Sequence, residues 1–127
     1  MQTHPSTSEL LEAVKHFVDN TAAKDLAGLG KFHARVASNV LAIVLRELDQ
    51  SEDANAREAK GLATLLKANA DDTPATLNRR LCEEIAAGAI GLNTPGLLAH
   101  LKTTAIAQLN IDQPHYSGLK TALEVSE

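Results

Sequence analysis

Apolar residues recur at helical spacing along most of the chain. Leu10, Leu11, Val14, Phe17 and Val18 share one side of a first helix. Ser6 followed by Glu9 forms the Ser-x-x-Glu signature of a capping box at its start. The longest uninterrupted pattern runs from about Lys31 to Leu48, KFHARVASNVLAIVLREL, and would make a helix about 27 Å long. It gathers Phe32, Val36, Val40 and Ile43 on one side. Ser51 then predicts the cap of a third helix, with Glu52 and Asp53 in its first turn and Leu62, Leu65 and Leu66 on its apolar face. Thr73-Pro74 opens a fourth helix carrying Leu77, Leu81, Cys82 and Ile85. By the same logic Thr94-Pro95 opens a fifth, with Leu97, Leu98, Leu101, Ala105 and Leu109 as its inward stripe. Residues 21–30, broken by Gly28 and Gly30, read as a linker, and residues 119–127 as a short helix with a frayed end. The expected fold class is all-α, a single domain over residues 1–127. It is a bundle of about five amphipathic helices with Lys31 to Leu48 central.

Composition narrows the core and the partners. Only 2% of residues are aromatic while 44% are hydrophobic, so the core must be built from Leu, Ile, Val and Ala, a mixture that favours helices over strands. A net charge of −4 opposes a general nucleic-acid binder, which replaces condensed counterions with positive charge. The longest apolar run, Val40 to Leu45, is too short for a bilayer. Nothing before Ser6 resembles a signal peptide, and the lone Cys82 has no partner for an internal disulfide. These features describe a reduced, cytoplasmic protein with no nucleic-acid or membrane partner.

Common catalytic patterns are missing. Gly28 and Gly30 do not match the phosphate-binding G-x-x-x-x-G-K-[ST] loop, and no strand precedes them. His4, His16, His33, His100 and His115 show no metal-ligand spacing. Cys82 sits at an apolar helix position, as a small core residue would, and no G-x-S-x-G elbow occurs. No cofactor is expected. The unusual polar feature is Arg35, Asn39 and Arg46, which form a strip along the edge of the central helix. If buried, they must find partners, for instance a loop carbonyl for Asn39 and Glu47, Glu83 or Glu84 for the arginines. Alternatively the strip lines a pocket in which the two guanidiniums hold a carboxylate or phosphate, with His33 and Lys31 at its mouth. A subunit interface is a third use.

Three segments carry a resemblance: HPSTSELLEAVKHFV, KFHARVASNVLAIVLREL, and LNRRLCEEIAAG with LLAHLKTTAIAQLNIDQPHY. They resemble a family of small uncharacterised bacterial proteins encoded beside acyl-CoA dehydrogenases and aminoglycoside-phosphotransferase-like kinases. The most specific motif is F-H-x-R-V-A-x-N, met by Phe32, His33, Arg35, Val36, Ala37 and Asn39, and the second is Asn78, Arg80 and Leu81. The resemblance implies a setting of acyl-CoA or kinase chemistry, although the chain has no kinase catalytic loop or metal-binding motif. The expected function is therefore that of an accessory or interaction protein that binds such an enzyme or self-associates through an apolar helix face. The alternative is a binder of a small anionic ligand at Arg35, Asn39, Arg46 and His33.

Overall fold

The computed structural model describes residues 4–69 and 71–125 and is all-helical among them. Helix α1 (Thr7–Phe17) runs through a π-helical turn, Val18–Ala22, into the short α2 (Ala23–Asp25). Then come α3 (Gly28–Leu66), α4 (Pro74–Ala86), α5 (Leu97–Asp112) and α6 (Ser117–Glu124). The contacts divide the chain into two compact units, Met1–Gln50 and Ser51–Glu127.

Local signals decide where several helices begin. The Ser6 amide donates to Glu9 Oε2 at 2.6 Å, and the Glu9 amide donates to Ser6 Oγ at 3.2 Å, closing the expected capping box. The Ser6 amide, followed by the His4 and Ser6 side chains, holds the Glu9 carboxyl below its ordinary range. Thr73 caps α4 by accepting from the Thr76 amide, with Pro74 in the first turn, where its missing N–H leaves no orphan.

Elsewhere the boundaries differ from expectation. The first helical stretch continues to Asp25, because Ala22, Ala23 and Lys24 favour helix, and the break narrows to Leu26 and Ala27 before Gly28, whose φ is +57°. No break occurs at Ser51: the expected second and third helices form the single 39-residue α3. Ser51 and Asp53 cost only a few tenths of a kcal/mol each inside a helix, and no glycine or proline lies nearby to stop it. Thr94 does not cap α5 either. The Leu97 amide donates to the Thr94 carbonyl, with Pro95 and Gly96 between them and Gly96 at φ +88°, ψ −13°, the geometry of a type II turn. The expected tail helix is present as α6, while residues 126 and 127 lie outside the described residues.

The second unit holds the hydrophobic core, and it is aliphatic as composition required. Ala59, Leu62 and Leu66 from the end of α3 meet Leu77 and Leu81 of α4, Ile90, and Leu97 of α5. Gly61 admits a close neighbour here, since a Cβ at that position would stand 2.5 Å from His100 Nδ1. Helix α3 ends in a Schellman arrangement: Lys67 takes φ +51° and the Ala68 amide donates to the Ala63 carbonyl. Arg80 Nη2 reaches the Leu66 carbonyl at 3.4 Å, placing a cation at the negative end of the helix dipole. Asn78 Nδ2 donates to Glu58 Oε1 at 2.7 Å, a second tie between α4 and α3.

Candidate functional site

The first unit is built differently. Its buried residues are Ala34 and Ser38, among those described, and α1 contributes none. Ser38 also bonds the carboxylate of Asp19, whose Oδ2 accepts from Lys15 Nζ at 2.6 Å. Small and polar groups therefore occupy the most buried positions of the inner contact. Leu11, Val18, Leu41 and Leu45 are half-buried beside them, whereas the other face of each helix carries large apolar side chains that are exposed. On α3, Leu29 is 70% exposed, Phe32 59%, Val36 43% and Val40 51%, and on α1, Leu10, Val14 and Phe17 are also open.

Helical geometry makes the α3 residues one feature. At 100° per residue, Leu29, Phe32, Val36, Val40 and the half-buried Ile43 fall within an arc of about 80°, opposite Ala34 and Ser38. The face on which the sequence gathers Phe32, Val36, Val40 and Ile43 is thus an outer face. Arg35, Asn39 and Arg46 lie within about 40° of one another along one border of that stripe, and His33 lies on the other border. Arg35, Asn39 and His33 are exposed and Arg46 is half-buried. Neither the Arg35 nor the Asn39 side chain has a hydrogen bond or ion pair among the described residues. The strip is an edge of an apolar surface, with the side chains of Arg35 and Asn39 turned to solvent.

Asp19 supplies the electrostatic mark of the inner contact. The hydrogen bond from Lys15, then that from Ser38, holds its carboxyl below the ordinary aspartate range. The carboxylate is favoured more in the folded chain than in the unfolded one, so its contribution is fully present above about pH 3.9 and is lost as pH falls through the lowered folded value. Asp19→Asn should therefore lower the melting temperature at neutral pH, with the gap to wild type closing on acidification. A gap independent of pH would show that the charge is not what stabilises this contact.

The other predicted residues are scattered. Cys82 is exposed, so it is not the core residue its helix position suggested. Leu98 and Leu101 are exposed as well. The inward side of α5 is Leu97, His100, Thr104, Ala107 and Ile111, one step round the helix from the expected stripe. A cleft of about 380 Å³ lies between the end of α5 and α6, lined by Asn110, His115, Tyr116 and Lys120 among others. Sequence reasoning missed it because none of these residues forms a recognised motif. No group of three or more His, Cys, Asp or Glu among the described residues is placed to hold a metal ion. No helix among them is long and apolar enough to cross a membrane.

A family model described as a domain of unknown function (DUF6285) matches residues 24–116, from α2 through α5 to Tyr116. The chain belongs to that family. The matched residues include the outward stripe of α3, its polar border, and the Asn78 and Arg80 ties, while α1 precedes them. No curated protein and no solved structure matches the chain.

Proposed function

We propose that this member of the DUF6285 family is an interaction protein whose first unit is completed by another polypeptide. The observation that carries this reading is that α1 and α3 leave Leu10, Val14, Phe17, Leu29, Phe32, Val36 and Val40 exposed, while the buried positions of this unit, among those described, are Ala34 and Ser38. Amphipathic helices gain most of their stability by burying an apolar face, and these faces are uncovered in the isolated chain.

In this reading Arg35, Asn39, Arg46 and His33 form the polar rim around an apolar contact, the usual anatomy of a protein interface. The gene neighbourhood implied by the resemblance nominates acyl-CoA dehydrogenases and aminoglycoside-phosphotransferase-like kinases as enzymes that such an accessory protein serves. A photo-crosslinking residue placed at Phe32, and separately at Phe17, tests the reading in living cells. Light-dependent adducts to a protein of defined mass are expected from at least one position, with none from the buried position Ala34. Absence of protein adducts at both outward positions would refute it.

A further inference from the structure

Resting on that interaction reading, we infer that the occupant of the α3 stripe is a second copy of this chain, packed antiparallel about a two-fold axis at Val36. A symmetric dimer requires a surface complementary to itself. The stripe has that property. Reversing it about Val36 sets Leu29 against Ile43 of the other copy, Phe32 against Val40, and Val36 against its own mate, so every apolar position meets another apolar one. The contact would extend over about 21 Å of helix, from Leu29 to Ile43.

The polar border repeats the pattern. A two-fold relating antiparallel helices keeps the Arg35–Asn39 edge of both copies on the same side of the contact. Asn39 of one copy then falls about two residues along the axis from Arg35 of the other, where its amide oxygen can accept from the guanidinium. The extent also fits. The open parts of Leu29, Phe32, Val36 and Val40 form the apolar centre, and the exposed Arg35, Asn39 and His33 extend it toward the roughly 800 Å² per partner of a standard interface. Continuation beyond Ile43 would fail, because the same face next presents Glu47 and Gln50.

The experiment uses the full chain in a Cys82→Ser background, with single cysteines introduced by Val36→Cys or Glu47→Cys and treated with a short bismaleimide. Light scattering on the untreated protein should give twice the chain mass. Val36→Cys should cross-link efficiently to its mate. Glu47→Cys, on the same helix face but about 33 Å from its mate in the antiparallel arrangement, should not. Val36→Glu should halve the mass while leaving the helical circular dichroism in place. If it unfolds the chain, the cysteine pair still decides. A monomeric wild type, failure of Val36→Cys to cross-link, or equal cross-linking of Glu47→Cys as in a parallel pair would each overturn the inference. A monomer whose Phe32 photo-adduct contains a different protein would overturn only the second-copy assignment. Absence of adducts from both Phe32 and Phe17 would remove the interaction reading itself.

Discussion

Glu52→Pro is expected to destabilise the protein by about 3 kcal/mol or more, the cost of a proline inside a helix. The substitution separates two descriptions of the same stretch. If Ser51 capped a new helix, Glu52 would occupy the first helical position, where proline is favoured and has no N–H to lose. In the structure residue 52 lies well inside α3, where the ring removes a backbone hydrogen bond and collides with the carbonyl one turn back. Its side chain is exposed, so little lost packing confuses the comparison. Glu52→Ala serves as the control and should stay within about 0.5 kcal/mol of wild type in urea titration. A Glu52→Pro variant as stable as that control would mean that α3 is broken at Ser51 after all.

Leu62→Ala should cost about 3 kcal/mol, or on the order of 15 °C in melting temperature for a unit of this size. Leu62 is fully buried, within a cluster drawn from the end of α3, α4, the turn at Ile90 and the start of α5. Removing it takes away both the transferred apolar surface and the contacts its neighbours make with it. So few residues are buried this completely that neighbouring side chains have little material with which to refill the gap. Leu98→Ala gives the contrast, because Leu98 is mostly exposed and its truncation should shift stability by no more than about 0.5 kcal/mol. Equal losses from the two substitutions would contradict the assignment of the core.

The features legible in the sequence were those settled within a few residues. Ser6 with Glu9, and Thr73 with Pro74, specify their helix starts through bonds to adjacent amides, and the structure has both. The all-helical class came from an aliphatic, alanine-rich composition. Ser51 misled because a good capping residue is only a mildly unfavourable interior residue, and the residues on either side of it decide between the two roles. Thr94 misled because Gly96 lets the chain make a type II turn before α5 starts.

Periodicity located the stripe on α3 but not its direction. Phe32, Val36 and Val40 have the spacing of a packed face whether they meet their own chain or another one. The inward side of α5 passes through His100 and Thr104, less apolar than the side carrying Leu98 and Leu101, so hydropathy points the wrong way there. Gly61 was the overlooked signal: a glycine deep within a continuous helical pattern marks a close approach, and the imidazole of His100 supplies it. For the candidate site, the spacing of Arg35, Asn39 and Arg46 puts them on one edge of α3. Their exposure depends on how α1 and α3 pack, which spacing alone does not specify.

Tyr116, at the start of α6 and beside the cleft, gives the protein a built-in optical probe. The chain contains no tryptophan and no other tyrosine, so near-ultraviolet emission comes almost wholly from this ring. Its phenol lies over Gly118, and its signal tracks the seating of α6 in the second unit. Far-ultraviolet circular dichroism, in contrast, sums over every helix. Coincident transitions by the two probes would indicate one cooperative molecule, whereas separated ones would resolve the melting of the first unit from that of the second without introducing any label.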